Sequence, residues 1–222
     1  MKSIDTKKLH NSRFVENARI VTASILLMYL TVSLYFMNHF FFNTVINGAN
    51  VSLKAYNEAD DVIIRYVKDY KLQLIERNGK TEEIAGQDIG MKFNKNNSIS
   101  KIHKMQSSFK WPISLFKEQK FYVNDLYVYN REYLEGRIDN LDCLNKDIIE
   151  PQNVSFKYAN GCYEAVKEIY GNKLHKGRLY EVIKSSILRG QRELDLDKSL
   201  CYINPKYTLS SAKTSQTQSL LN

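Results

Sequence analysis

Apolar side chains are concentrated in one run, residues 20–42, in which 17 of 23 residues are apolar or aromatic and none is charged. A helix of that length reaches ~35 Å, because each residue adds ~1.5 Å, and this is enough to cross the ~30 Å hydrocarbon core of a bilayer. The run is apolar on every face, whereas a helix at the edge of a soluble core usually keeps one polar face. The pattern therefore predicts a transmembrane helix over residues 20–42 rather than a buried core helix.

Basic residues lie before this run. Residues 1–19 hold five basic and two acidic side chains: Lys2, Lys7, Lys8, Arg13, Arg19, Asp5 and Glu16. The positive-inside rule makes residues 1–19 a cytoplasmic tail and places residues 43–222 outside the cell. A cleavable signal peptide is the alternative, but its apolar region is shorter and ends in small residues, whereas this run ends in Phe40–Phe42. We therefore expect an uncleaved signal anchor.

Helical and alternating patterns follow each other after the run. Apolar side chains recur at helical spacing in three segments: residues 62–70, 99–105 and 130–142. Apolar and polar residues alternate on both sides of Asn78-Gly79, which is a strong hairpin signal, and Asn160-Gly161 marks a second hairpin. Helices and strands mixed in this order predict an α+β fold.

Two stretches about 120 residues apart share the order strand, glycine turn and amphipathic helix: INGANVSLKAYNEADDVII and IYGNKLHKGRLYEVIKSSI. This similarity predicts two related lobes, residues 43–130 and 131–207. Chance similarity between two common units is the alternative, since two copies do not make a repeat array. Residues 208–222 are rich in Ser, Thr and Gln, and we expect them to form a disordered tail.

The formal net charge is +8, of which about +5 lies in residues 43–222. Nucleic acid is not an expected partner for this charge outside a cell. Anionic wall polymers or lipid headgroups are expected partners, and a generally solvated basic surface is the alternative. Binding that depends on such charge is weak and salt-sensitive.

Residue types that carry catalysis or bind metals are scattered. None of the four histidines, His10, His39, His103 and His175, has a partner at metal-ligand spacing, and the chain has no phosphate-binding or dinucleotide-binding glycine motif. The sequence therefore predicts no catalytic residue, no metal and no cofactor.

The three cysteines lie in residues 43–222, where an oxidising environment permits one disulfide. Cys143 and Cys201 both lie at expected element boundaries, where two backbones can approach to the ~5.5 Å Cα separation of a bridge. Cys162 lies next to the tight turn at Asn160-Gly161. We therefore predict a disulfide between Cys143 and Cys201, with Cys162 free. Three unpaired thiols are the alternative.

Several phrases of the sequence carry a resemblance when they are taken together. They are the apolar run, the hairpin LIERNGKTEEIAGQDI, FKWPISLFK, IIEPQN, and GNKLHKGRLYEVIKSSI followed by ELDL and CYINPKYT. Over about residues 1–208 the chain resembles the N-terminal part of YkuD-type L,D-transpeptidases of Gram-positive bacteria. The resemblance implies a mixed α/β peptidoglycan-binding module. In that family the module precedes a catalytic domain that cross-links peptidoglycan through a cysteine thioester.

The catalytic signature of that family is Ser/Thr-His-Gly-Cys. The nearest string here is Ala159-Asn160-Gly161-Cys162, in which Asn160 replaces the histidine. A nucleophilic cysteine needs a base or a positive environment, and the sequence offers Cys162 neither. We therefore expect a membrane-anchored, non-catalytic peptidoglycan-binding module of the cell envelope and not an enzyme.

Two other functions remain open at this point. One is a truncated or split L,D-transpeptidase that needs a separate catalytic domain. The other is a membrane-anchored module that binds or regulates another protein, such as a cell-wall enzyme.

Flat aromatic rings can stack on sugar faces, and the resemblance implies a sugar polymer as ligand. The candidate peptidoglycan contacts are Lys110, Trp111, Tyr127 and Tyr129. The alternative is that these side chains belong to the core.

Overall fold

The computed structural model of the chain describes residues 3–96, 99, 102 and 106–221. Over these residues the fold is mixed α+β, with an N-terminal apolar helix and several small sheets, which confirms the predicted fold class. The short helix predicted over residues 99–105 lies largely outside the described residues.

Helices and short strands alternate along the described chain. The helices are α1 (Ser3–Tyr35), α2 (Ala59–Lys68), α3 (Trp111–Ser114), α4 (Arg131–Asp139), α5 (Asp142–Asn145), α6 (Lys176–Leu188) and α7 (Ala212–Leu221). The strands are β1 (Thr44–Ile46), β2 (Ala49–Asn50), β3 (Lys71–Ile75), β4 (Thr81–Ala85), β5 (Lys92–Phe93), β6 (Gln119–Phe121), β7 (Tyr127–Val128), β8 (Ser155–Ala159), β9 (Cys162–Val166) and β10 (Glu193–Asp195).

The chain divides into two compact units. The first comprises Met1–Ile46, Asn50–Val62 and Ser98–Phe121, and the second comprises Asn47–Ala49, Ile63–Asn97 and Tyr122–Asn222. These bounds differ from those of the two predicted lobes, and the internal repeat stays a prediction.

Helix α1 dominates the first unit. Its stretch Phe14–Tyr35 is long and apolar enough to cross a membrane, with a mean hydropathy of 1.6 and only 6% of it buried. The helix ends at Tyr35 rather than at the expected residue 42. The reason is that Phe36, Phe40 and Phe41 are buried in protein. The apolar run thus passes from an exposed helix into a core, and hydropathy alone does not separate the two.

Aromatic packing forms a core of the first unit. Phe36, Phe41 and Trp111 are buried together, and Tyr29, Val32 and Phe42 pack against them. Helix α3 supplies Trp111, with Pro112 in its first turn, where the missing N–H of proline has no helical partner to lose. In the same unit, strand β1 pairs in parallel with β6.

The second unit contains the remaining sheets. Strand β3 is central in a three-stranded sheet, parallel to β10 and antiparallel to β4, and it buries Leu72 and Leu74 on one face. The β3–β4 hairpin turns at Asn78-Gly79, and the β8–β9 hairpin turns at Asn160-Gly161, so both predicted hairpins are confirmed.

The C-terminal segment contains α7, where the composition predicts a disordered tail. The Thr214 hydroxyl is buried at the start of this helix and donates to the carbonyl oxygen of Thr208 at 2.8 Å. This bond joins the first turn of the helix to the residues before it, a local side-chain-to-backbone contact that composition alone does not reveal.

Candidate functional site

One face of α6 is open to solvent and the other is buried. Leu179, Ile183 and Ile187 pack into the second unit. Gly177, Glu181, Lys184 and Leu188 are three or four residues apart, so they share the opposite face. From Gly177 to Leu188 this face extends ~16 Å along the helix axis.

Two clefts lie along this face of α6. The first, of about 610 Å³, lies at its C-terminal half and is also lined by Asn47 and residues 122–125. The second, of about 490 Å³, lies at its N-terminal half, where α4 forms the other wall. Glu181 lines both clefts. We call the two together the α6 groove.

Asn47 holds the first cleft in shape. Its buried side chain donates from Nδ2 to the carbonyl oxygens of Leu188 at 2.8 Å and Val123 at 3.0 Å, and its Oδ1 accepts from the Val123 N–H at 2.8 Å. Leu188 ends α6, and its carbonyl has no partner within the helix. One side chain thus ties residues 122–125 to the end of α6.

Two glycines allow the backbone around Asn47 to pack this tightly. Gly48 and Gly190 have φ of +80° and +65°, a region that favours glycine. A Cβ on Gly190 would overlap the carbonyl oxygen of Asn47, and a Cβ on Gly48 would overlap that of Gly190. The close approach therefore depends on glycine at both positions.

Three tyrosine hydroxyls donate hydrogen bonds to backbone carbonyl groups where these two segments pack together. The Tyr127 hydroxyl donates to the Asn47 carbonyl oxygen at 2.7 Å, and the Tyr70 hydroxyl to that of Gln191 at 2.6 Å. The Tyr66 hydroxyl donates to the carbonyl oxygen of Gly190. Burial raises the pKa of Tyr70 and of Tyr127 well above the ordinary value, and Tyr66 adds to the effect at both.

These pKa shifts predict alkaline destabilisation. The neutral tyrosines are favoured in the folded state, so their contribution to stability is fully present below the unfolded pKa of ~10 and is lost as pH rises through the higher folded values. We expect the free energy of unfolding to fall above pH ~10, by up to ~1.4 kcal/mol per pH unit for each tyrosine. In Tyr127→Phe the fall should be less steep. Urea unfolding across this pH range measures it, and equal slopes in both proteins would contradict the assignment.

The α6 groove combines an exposed aromatic ring with paired charges. The side chain of Tyr122 is 59% exposed, and the Arg189 guanidinium carbon lies 5.8 Å from its ring centroid. Four basic and four acidic side chains line the two clefts: Arg131, Lys176, Lys184, Arg189, Asp125, Glu135, Asp139 and Glu181. Ion pairs join Lys176 to Asp139 at 2.7 Å and Arg131 to Glu135 at 2.8 Å. The groove therefore offers both donors and acceptors along an almost neutral surface.

The four predicted peptidoglycan contacts do not share one environment. In the first unit, Trp111 is buried in the aromatic cluster and Lys110 is exposed. In the second unit, Tyr127 is buried, and its hydroxyl donates to the Asn47 carbonyl oxygen. Tyr129 is half-buried, and burial together with the neighbouring Tyr180 of the groove raises its pKa to about 12. The ligand contacts stay a prediction, and packing accounts for Trp111 and Tyr127.

Sequence reasoning missed Tyr122 and the polar face of α6. The signal for that face was present, because the polar positions of KGRLYEVIKSSIL recur at helical spacing between the buried ones. A solvated helix face has the same pattern, so the pattern alone does not identify a groove.

The three cysteines all carry free thiols in the structure. Burial raises the pKa of Cys143 and of Cys201, which disfavours the thiolate. Cys162 is exposed beside the β8–β9 turn, and its thiol donates to the carbonyl oxygen of Ala159 at 3.5 Å. The Cys143–Cys201 disulfide stays a prediction.

His39 and His175 have local contacts. His175 caps the N-terminus of α6, because its Nδ1 accepts from the Arg178 N–H at 3.2 Å. His39 stacks on Tyr35 with ring centroids 3.9 Å apart. Across the described part of the chain, no three His, Cys, Asp or Glu side chains are grouped so as to hold a metal ion.

Comparison with known families gives one match. The model of the family described as "Putative peptidoglycan binding domain" matches residues 82–195, just over half of the 222-residue chain. The chain belongs to this family. The matched residues include α4, α6 and every lining residue of the α6 groove except Asn47. No curated protein and no solved structure was found to match the chain.

Proposed function

We propose that the protein is a membrane-anchored, non-catalytic module of the bacterial cell envelope that binds peptidoglycan in the α6 groove. The observation that carries the proposal is that the peptidoglycan-binding family covers this groove almost completely. The exposed apolar stretch Phe14–Tyr35 supports the anchor. The basic residues before it support a cytoplasmic N-terminus and an outer domain that faces the wall.

The groove offers the contacts that a glycan with attached peptides requires. Sugar rings present apolar faces, on which the exposed Tyr122 ring can pack, and hydroxyl and amide groups, which the charged side chains can bind. The peptides carry both amines and carboxylates, which matches the alternation of acidic and basic groups along α6. A groove of ~16 Å leaves room for more than one sugar unit.

A relation to the N-terminal region of L,D-transpeptidases is part of the proposal. The phrases FKWPISLFK and GNKL followed by LYE support it. The non-catalytic role is supported by Asn160, which stands next to Gly161-Cys162 where the family signature has its histidine. Burial also raises the pKa values of Cys143 and Cys201, which disfavours their thiolates. A cell-wall enzyme is the partner that such a module would serve, by holding it near its polymer.

Binding of the full-length protein in detergent to purified peptidoglycan sacculi tests the site. We expect Tyr122→Ala to weaken binding ~3–10-fold, the effect of losing one aromatic contact. The matched control is Tyr133→Ala, because Tyr133 on α4 is also 59% exposed but does not line either cleft. Equal binding by the two variants would place the ligand elsewhere, and no retention of the wild-type protein would refute peptidoglycan binding itself.

A further inference from the structure

Apolar side chains project from the segment around α3 in the first unit. Phe109, Ile113, Leu115 and Phe116 are all exposed, and Phe116 is 91% exposed. Exposed apolar groups close together in sequence are costly in water and usually mark a contact surface. We call these four side chains the 109–116 ledge.

The ledge is attached to α1 inside its apolar stretch. The Tyr29 hydroxyl donates to the Phe109 carbonyl oxygen at 2.7 Å, and the Tyr29 ring lies 6.0 Å from that of Trp111. Tyr29 is six residues before Tyr35, the end of the stretch, which corresponds to ~9 Å along the helix. Interfacial protein elements enter a bilayer to a depth of ~5–10 Å. If Tyr35 marks the membrane boundary, the ledge meets the helix at that depth.

Backbone hydrogen bonds within this segment make it compatible with an apolar environment. The N–H groups of Leu115 and Phe116 donate to the carbonyl oxygens of Pro112 and Ile113, at 3.3 and 3.2 Å. The N–H of Lys110 donates to Ser107 at 2.8 Å. Unpaired backbone groups are excluded from lipid, and these groups are paired within the segment itself.

Two lysines are sequence neighbours of the ledge residues. Lys110 and Lys117 are exposed next to its apolar side chains. Long basic side chains can leave their stems on apolar surface and reach phosphate headgroups with their ammonium groups. Exposed apolar side chains with exposed lysines next to them in the sequence fit a lipid surface.

We propose that the 109–116 ledge lies in the outer leaflet of the membrane that α1 crosses, at the boundary between headgroups and acyl chains. The lipid bilayer is the partner, because the ledge continues the exposed apolar surface of α1. The inference rests on the anchoring part of the proposed function. It also gives Lys110 and Trp111 a role at the membrane in place of a sugar contact.

Trp111 is the only tryptophan of the chain, and it lies in sequence between Phe109 and Ile113, so its emission reports on the surroundings of the ledge. The full-length protein is reconstituted in phosphatidylcholine vesicles, with and without anionic phosphatidylglycerol, in which the acyl chains carry bromine near the headgroup or near the bilayer centre. Bromine quenches tryptophan at short range. We expect loss of most Trp111 fluorescence with shallow bromine, and a smaller loss with deep bromine.

A second variant moves the tryptophan from position 111 to position 116, the most exposed position of the ledge. In Trp111→Phe combined with Phe116→Trp, we expect emission at short wavelength in vesicles and quenching by shallow bromine. Flotation of the vesicles measures anchoring separately. Protein that floats with the vesicles but is not quenched in either form would overturn the ledge while leaving the anchor intact. Protein that does not float would overturn the anchor and the ledge together.

A second copy of the chain is the other occupant that the experiment distinguishes. In that case the emission would be insensitive to bromine and would change when the protein is diluted in lipid. That result would also overturn the proposal.

Discussion

Gly190→Ala is expected to lower the free energy of unfolding by about 2–5 kcal/mol, which combines the cost of a left-handed conformation with that of overpacking. The added Cβ would overlap the Asn47 carbonyl oxygen, and φ at this residue is +65°. Neither backbone segment can yield easily, because Tyr127 and Tyr66 hold the carbonyl groups of Asn47 and Gly190. Urea unfolding of the full-length protein in detergent measures the change.

The matched control for Gly190→Ala is Gly79→Ala. Gly79 has φ of +83°, but no heavy atom lies within 4 Å of the added Cβ. Its substitution should therefore cost only the conformational part, ~1–2 kcal/mol. Equal losses at the two positions would mean that the close approach to Asn47 contributes nothing. Because Gly190 follows the groove, any folded Gly190→Ala protein should also bind sacculi less well.

Arg77→Ala is expected to lower the free energy of unfolding by about 2–4 kcal/mol, since several charge-assisted hydrogen bonds are lost at once. The guanidinium donates to Asp197 at 2.7 Å, to the Asn204 side chain at 2.8 Å and to the carbonyl oxygen of Gly171 at 3.0 Å. Its carbon also lies 4.3 Å from the ring centroid of Tyr202. One side chain thus joins the β3–β4 turn to three later segments of the second unit.

Two substitutions distinguish the contribution of the Arg77 hydrogen bonds to stability from the contribution of its charge. Arg77→Lys keeps the charge but not the planar fork, so we expect it to recover only a small part of the loss. Lys71→Ala removes an exposed ion pair with Glu83 and should change stability by no more than ~1 kcal/mol. Full recovery in Arg77→Lys, measured by the same urea unfolding, would show that charge alone is sufficient.

Local chemistry explains which parts of the fold were predictable. Asn160 and Gly161 have φ of +54° and +85°, and the Asn-Gly pair favours such a turn whatever surrounds it. The end of α1 was not predictable in the same way. Phe36 and Phe41 are as apolar as the residues before them, and only contacts with Trp111, some 70 residues later, distinguish a core from a span.

The α6 groove could not be predicted from the sequence for a related reason, since it depends on contacts between residues far apart along the chain. Asn47 reaches Val123 and Leu188, which are 76 and 141 residues away along the chain. The sequence around Asn47-Gly48 predicts only a turn, because no nearby residue indicates the hydrogen-bond partners of the Asn47 side chain. Conversely, Trp111 and Tyr127 were reasonable sugar contacts by residue type, and burial rather than chemistry removes their rings from solvent.

The balance of charge in the groove bears on two different quantities, the rate at which a ligand binds and the lifetime of the complex. In the proposed topology, the excess of basic residues over residues 43–222 would attract an anionic wall from a distance, and this attraction would be screened within about 10 Å at 0.1 M ionic strength. Inside the groove, Lys176 already faces Asp139 and Arg131 faces Glu135, so a bound ligand meets short-range contacts with little net field. If the groove binds peptidoglycan as proposed, we expect salt to slow the rate of binding more than it shortens the lifetime of the complex.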